Sequence, residues 1–141
     1  MFKKIAMLTL IGFMTFLVAC DKGPEYPKEY GIVDVISGEE TSEGVVLTLE
    51  TDGFGGTITA EITILDGEIV TYTITEHNES DAWGKAVIDG GALIQAIIDE
   101  SNLSNLDVHD YLDGQASATV TGEALLDIAL AALEHYEEDY E

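Results

Sequence analysis

The stretch TITAEITILDGEIVTYTI, residues 57–74, predicts the centre of the fold. From Thr57 to Ile64, apolar residues alternate with threonine and glutamate, a pattern typical of a strand with one buried face and one wet face. The pair Asp66-Gly67 stands between this run and a second alternating run at residues 69–74. Because Asp-Gly favours the two-residue turn of a β-hairpin, the stretch predicts two antiparallel strands.

Strand-like runs also precede this hairpin. Residues 32–36 and 45–49 are rich in β-branched and apolar residues and are bounded by acidic or glycine-containing turns. The segment Gly53-Phe54-Gly55-Gly56 interrupts the pattern and predicts a turn. We therefore expect an antiparallel sheet of several strands.

Two helices are predicted after the hairpin. Apolar residues at helical spacing predict one helix that ends near Asn102 and a second that begins near Gly122. The last eight residues hold five acids at a helix C-terminus, where negative charge is unfavourable, so we expect fraying there. The sum is an α+β fold, an antiparallel sheet packed against two main helices in one small domain over residues 31–141.

The N-terminus has the features of an export signal. Lys3 and Lys4 precede an apolar run that is shorter than the ~20 residues of a spanning helix. Leu17-Val18-Ala19-Cys20 resembles the lipobox of bacterial lipoproteins, which implies a signal peptide over residues 1–19 and a lipidated Cys20. Residues 20–30 would be a tether from a lipid anchor on the outer face of the cytoplasmic membrane. An ordinary secreted protein with a chance cysteine is the alternative.

The composition argues against several classes of function. With 28 acidic and 5 basic residues, and a formal net charge of −23, the chain is unsuited to nucleic acid or to anionic lipid head groups. The single cysteine allows no intramolecular disulfide, and the three histidines lack the paired spacing of a metal site. Nucleophile motifs, phosphate-binding glycine loops and calcium loops are absent from the sequence. We expect no metal ion.

A hydroxyl precedes the predicted last helix in the stretch Asp113-Gly114-Gln115-Ala116-Ser117-Ala118-Thr119. The unpaired amides of a helix start can bind a phosphate, and the small Ala118 would let one approach closely. From the residues alone, the alternative is a small-residue strand followed by a cap, with Thr121 as helix N-cap and no ligand.

Several segments together resemble the FMN-binding domains. The resemblance covers nearly all of residues 45–133, and the segments that carry it are Gly53-Phe54-Gly55-Gly56, Asp66-Gly67, His77-Asn78-Glu79-Ser80, Gly84 and residues 113–121. That family includes covalently flavinylated subunits of sodium-pumping NADH:quinone oxidoreductases and of Rnf-type complexes, and lipoproteins of extracellular electron transfer. The resemblance implies that Thr119 carries FMN through a phosphoester.

The attachment motif of the family matches at some positions and differs at others. Asp113, Ala118 and Thr119 agree with it. Ala116 stands where a hydroxyl is usual, and Ser117 stands where glycine is usual. The predicted FMN-binding residues are Thr119, Ala118, Ser117, Asp113, Thr121, Glu79, Ser80 and Trp83.

The resemblance also implies roles for the residues around the flavin. Glu79 and Ser80 match the family's Glu-Thr pair, and they would fix the loop or hydrogen-bond the flavin; a solvated turn is the alternative. Trp83, the only tryptophan, is the candidate for stacking on the isoalloxazine ring. Ordinary core packing is the alternative for Trp83 and equally for Phe54.

The implied function is electron transfer without catalysis by the domain itself. FMN would be transferred to the chain by a flavin transferase that uses FAD and needs Mg²⁺, and a membrane electron donor such as a quinone-linked reductase would reduce it. A flavin-free binding or assembly lipoprotein built on the same domain is the alternative.

Overall fold

The computed structural model describes residues 25–79, 84–100, 102–112 and 118–141. Its elements are five strands, three α-helices and two short 3₁₀ turns. In chain order they are β1 (Lys28–Tyr30), β2 (Val33–Thr41), β3 (Gly44–Asp52), β4 (Thr57–Leu65), β5 (Glu68–Glu76), α1 (Gly84–Gly90), α2 (Ala92–Asp99), the 3₁₀ turns Leu103–Asn105 and Val108–Tyr111, and α3 (Thr119–Asp139). The predicted α+β class is confirmed.

The strands form one antiparallel sheet in the order in which they occur in the chain. The predicted hairpin is present, with Leu65 paired to Glu68 across a two-residue loop. Asp66 has φ 55° and Gly67 has φ 85°. Both central residues thus have positive φ, as the type I′ turn requires, and this turn matches the twist of the flanking strands.

One face of the sheet carries the core. Ile58, Ala60, Ile62 and Ile64 of β4 are all fully buried, as their alternation predicted. Helix α3 covers the central strands with buried residues that include Leu125, Ile128, Ala129 and Ala132. The buried Tyr72 of β5 donates its hydroxyl to the Leu125 carbonyl at 2.6 Å, which fixes the helix to the sheet.

The helices differ from the sequence prediction at their ends. The first predicted helix is α2, which stops at Asp99, three residues before Asn102; Gly91, with φ 75°, separates it from the additional helix α1. The last helix begins at Thr119 and not at Gly122. Its N-cap is Ala118, and Thr121 lies inside the first turn, so the prediction of Thr121 as N-cap was wrong.

Both ends of the described chain form regular elements, where the sequence predicted a tether and a fraying helix end. Strand β1 lies within the segment assigned to the tether, and its register pairs Lys28 with Val35. Helix α3 continues to Asp139, whose carboxylate pairs with the Lys28 ammonium at the end where fraying is predicted. The N-terminal strand therefore stabilises the C-terminal helix.

Candidate functional site

A buried carboxylate lies where the chain leaves the sheet. Glu79 follows β5 and is only 6% exposed. Its Oε1 accepts a hydrogen bond from the Phe54 amide at 3.1 Å, and its Oε2 accepts one from the Gly55 amide at 2.7 Å. Oε1 also accepts the hydroxyl proton of Thr121. One side chain thereby joins the β3–β4 turn to the first turn of α3, across 42 residues of sequence.

The surrounding backbone is close enough to this carboxylate to require glycine. A Cβ added at Gly84 would lie 2.6 Å from both Glu79 Oε1 and Thr121 Oγ1, and one added at Gly55 would overlap the Asn78 carbonyl oxygen. The Gly53 amide donates to the Gly56 carbonyl at 2.7 Å and closes the turn. Glycine at positions 55 and 84 therefore lets three segments of chain meet at Glu79.

The segment that carries Glu79 is itself held in place. The Glu79 amide donates to His77 Nδ1 at 3.1 Å, so this ring nitrogen carries no proton. His77 thus has a local structural contact. Of the two alternatives for Glu79, burial and three accepted hydrogen bonds exclude the solvated turn, and the carboxylate fixes the loop.

The first turn of α3 presents two hydroxyls with different surroundings. Thr121 is fully buried, and its Oγ1 is used in the bond to Glu79. Thr119 is half-buried, and within residues 25–79, 84–100, 102–112 and 118–141 its hydroxyl has no hydrogen-bond partner. Ala118 before it is fully buried and adds no capping side chain. Thr119 is accordingly the hydroxyl at this helix start that is available for chemistry.

The electrostatics of this turn suit a phosphate. The first backbone amides of α3 lack helical acceptors, and the aligned peptide dipoles favour negative charge there. The first turn carries no acidic residue. A phosphoryl group on the Thr119 oxygen would thus meet the N–H donors of a helix start whose first turn carries no acid.

Two exposed apolar side chains flank this arrangement. Phe54 is 64% exposed although its amide is bonded to Glu79, so the alternative of core packing for Phe54 is wrong. Val120 is 48% exposed beside Thr119. The site thus combines an available hydroxyl, unpaired amides and an aromatic ring open to solvent.

Five of the residues predicted from the sequence lie outside the described residues. They are Cys20, Ser80, Trp83, Asp113 and Ser117. Glu79 and Gly84 flank residues 80–83, and Leu112 and Ala118 flank residues 113–117. Since a Cβ added at Gly84 would contact Glu79 and Thr121, residues 80–83, which include Trp83, are flanked on both sides by residues of the site. The stacking of Trp83 stays a prediction.

The family comparison agrees with the residues that meet at Glu79. The family model described as FMN-binding domain matches residues 53–134, and the chain belongs to this family. The match begins at the glycine turn and extends into α3 as far as residue 134, so it includes every described residue of the site. The searches of curated proteins and of solved structures gave no significant match.

The part of the chain that the structure describes offers neither a metal site nor a membrane-spanning helix. There, no group of three or more His, Cys, Asp or Glu side chains is arranged to hold a metal ion. None of the helices found there has both the length and the apolar character needed to cross a membrane.

Sequence reasoning missed the bond between Thr121 and Glu79. Thr121 had been predicted as a cap or as an FMN-binding residue, but its hydroxyl faces inward to the carboxylate. A weak signal was present, because Glu79 lies between two glycine-containing segments that the resemblance had also singled out. Nothing local marks it among the 28 acidic residues as the buried one.

Proposed function

We propose that this protein is a lipid-anchored flavoprotein outside the cytoplasmic membrane, and that it carries electrons through FMN held on Thr119 by a phosphoester. Membership of the FMN-binding domain family gives the chain a flavin-binding function. The observation that selects Thr119 is the contrast within the first turn of α3. The Thr121 hydroxyl is buried and bonded to Glu79, whereas Thr119 is half-buried and its hydroxyl has no hydrogen-bond partner among the described residues.

Attachment is a phosphoryl transfer from FAD. The Thr119 oxygen forms a bond to the phosphorus of the FMN half, the pyrophosphate bond of FAD breaks, and AMP leaves. The hydroxyl proton passes to a base, and Mg²⁺ in a flavin transferase would neutralise charge on the leaving phosphate. Because Glu79 is occupied by three donors, it is a positioning residue for this turn and does not act as that base.

The chain's own groups would then hold the phosphate and orient the ring. The unpaired amides of α3 can bond to the phosphate oxygens, and Ala118 leaves them accessible. Trp83 is the candidate for stacking on the isoalloxazine ring, and the exposed Phe54 offers a second aromatic surface beside the site. When bound, FMN supplies the electron-accepting chemistry that no side chain of this domain has.

Anchoring and covalent attachment support the same role. Outside the cell, a flavin that dissociates is lost, whereas a phosphoester keeps it at high local concentration. The lipobox-like residues before Cys20 support a lipid anchor, and the acidic composition makes attachment by a basic patch unworkable. We propose a flavin transferase as the maturation partner and a quinone-linked reductase as the membrane electron donor.

A flavin-free binding or assembly lipoprotein is the second candidate function. It is favoured by one observation, the presence of Ala116 and Ser117 where the attachment motif usually has a hydroxyl and a glycine. If that glycine is needed for positive φ, serine there costs about 1–2 kcal/mol. A folded domain tolerates such a cost, whereas a modifying enzyme would bind the altered stretch less well.

The test is the intact mass of the exported chain after coexpression with a flavin transferase. The wild type should gain the mass of FMN less one water. Thr119→Ala should lose that gain, and Thr119→Ser should keep it because the hydroxyl remains. Thr57→Ala, at an exposed threonine of β4, is the matched control and should be modified like the wild type. A folded wild type that stays unmodified overturns the proposal in favour of the flavin-free candidate.

A further inference from the structure

The domain has two opposite ends, and the candidate site occupies one of them. This FMN end contains the turn Gly53–Gly56, Glu79 and Thr119. At the far end are the turn Asp66–Gly67 and the C-terminal residues, since a Cβ added at Gly67 would lie 3.9 Å from Glu141 Oε2. β4 connects the two ends with nine residues, which at about 3.3 Å per residue span about 30 Å.

The N-terminal segment approaches from the far end. β1 is antiparallel to β2, with Tyr30 opposite Val33 and Lys28 opposite Val35. Upstream of Lys28 the chain therefore passes along β2 in the direction of Thr41, away from the FMN end. Tyr26 confirms this path, because a Cβ added at Gly38 in the middle of β2 would overlap its hydroxyl.

A buried histidine fastens this segment to the last turns of α3. His135 is fully buried, and its Nε2 lies 3.1 Å from the Tyr26 hydroxyl while its Nδ1 lies 2.7 Å from the Tyr30 hydroxyl. The Tyr26 hydroxyl also meets the Tyr140 hydroxyl at 2.8 Å. These residues, together with the ion pair of Lys28 and Asp139, make up the N-terminal clasp.

The clasp places Tyr26, through which an N-terminal anchor would act on the domain, away from the FMN end. Cys20 precedes Tyr26 by six residues, which reach at most about 20 Å. From His135 back to Thr121, α3 rises about 20 Å toward the FMN end. A domain lying flat would bring its acidic surface against anionic lipid, which the net charge of −23 opposes.

We propose that the anchored domain stands with its FMN end directed away from the membrane, where it meets an electron partner in the aqueous compartment. This inference rests on the proposed lipid anchor at Cys20. A membrane donor then needs an extramembrane part that extends to the height of Thr119. Lipid-embedded quinone does not reach the FMN end directly.

The exposed residues of the FMN end indicate the surface of that partner. Phe54 and Val120 are apolar and exposed, and around them Asp52, Glu76 and Glu123 are exposed acids. An apolar centre with an acidic rim is complementary to a protein surface with an apolar centre and a basic rim. The partner is therefore a water-borne redox protein with a basic rim.

The orientation can be measured without FMN and without cellular lipidation. A chain that begins at Cys20, the only cysteine, is coupled through that thiol to maleimide lipids in vesicles. A fluorophore is placed by ketone chemistry on p-acetylphenylalanine at position 54 or at position 68, the exposed first residue of β5 beside the Asp66–Gly67 turn, and nitroxide-labelled head groups serve as the short-range quencher. We expect several-fold stronger quenching at position 68. Equal quenching, or stronger quenching at position 54, overturns the orientation.

The clasp is tested on the same vesicles. In the double variant Tyr26→Ala, Tyr30→Ala, the contacts with His135 are lost, so the difference in quenching between the two positions should shrink while the far-ultraviolet circular dichroism is retained. An unchanged difference contradicts the role of the clasp. Because neither arm contains FMN, failure here is distinct from failure of the proposed function, which the intact mass reports.

Discussion

The substitution Glu79→Ala tests the claim that one carboxylate assembles the site. It removes the acceptor of three hydrogen bonds, those from Thr121 Oγ1 and from the amides of Phe54 and Gly55. Hydrogen bonds to a charged group contribute about 1.5–3 kcal/mol each, and a buried donor left unpaired costs its full free energy of desolvation. The Thr121 hydroxyl is fully buried, whereas water can reach the two amides in part. We therefore expect a loss of about 3–5 kcal/mol in the free energy of unfolding.

A matched pair of charge-neutral variants separates hydrogen bonding from net charge. Glu79→Gln and Glu76→Gln each remove one negative charge, but Glu76 is exposed at the end of β5. An amide at position 79 would direct its N–H₂ group at one of the existing donors, so we expect a cost of about 2 kcal/mol. Glu76→Gln should change the free energy of unfolding by no more than about 0.5 kcal/mol.

Urea unfolding followed by far-ultraviolet circular dichroism gives these values for a two-state domain. With a slope of about 1.5 kcal/mol per molar, Glu79→Ala should lower the midpoint by about 2–3 M. A loss below about 1 kcal/mol for Glu79→Ala, or equal stabilities of the two glutamine variants, would refute the assembly role of Glu79.

Two further predictions concern the packing at the site and the titration of the clasp. Gly84→Ala should lower the free energy of unfolding in urea by about 1–3 kcal/mol, because the added Cβ would crowd Glu79 and Thr121. The control Gly90→Ala, in the same helix, meets open space and should be neutral or stabilising. Equal effects of the two changes would exclude the crowding. Burial lowers the pKa of His135. Among the charged neighbours, Asp139 and Glu138 raise this pKa, whereas Lys28 lowers it. The stability linked to His135 is therefore complete above the unfolded pKa of about 6.5 and declines as the pH falls below it. His135→Gln should flatten this decline between about pH 7.5 and pH 5.5, whereas the exposed control His109→Gln should retain it; the same slope in both variants would contradict the assignment.

Local chemistry explains the part of the fold that the sequence predicted. Asp66-Gly67 needs only its own two residues to adopt positive φ, and the alternation along β4 requires only a buried face. Both signals lie within a few residues of the structure they determine. The hairpin and the α+β class were accordingly predictable before any tertiary contact was known.

The elements that were predicted wrongly depend on distant residues. Thr121 has the chemistry of an N-cap, but its hydroxyl is bonded to Glu79, and α3 starts at Thr119 without a side-chain cap. β1 has only three residues, and its place in the sheet becomes visible only through the pairing with β2. The acidic end of α3 is held by Lys28, 111 residues earlier in the chain.

The candidate site was predictable by residue type but not by geometry. The resemblance named Glu79, Thr119 and Thr121 together, and the structure separates their roles by burial and hydrogen bonding. A sequence with 28 acids does not show which one is buried. Nor does it show that the Thr121 side chain is buried while Thr119, two residues earlier, is only half-buried.

The most direct test of the central claim is the location of the flavin in the modified chain. After coexpression with a flavin transferase, the wild type is digested and the flavin-bearing peptide is fragmented in the mass spectrometer. We expect FMN bonded through its phosphate to Thr119, with Thr121 unmodified because its hydroxyl is buried against Glu79. FMN on Thr121 or Ser117, or a folded chain without any flavin, would contradict it.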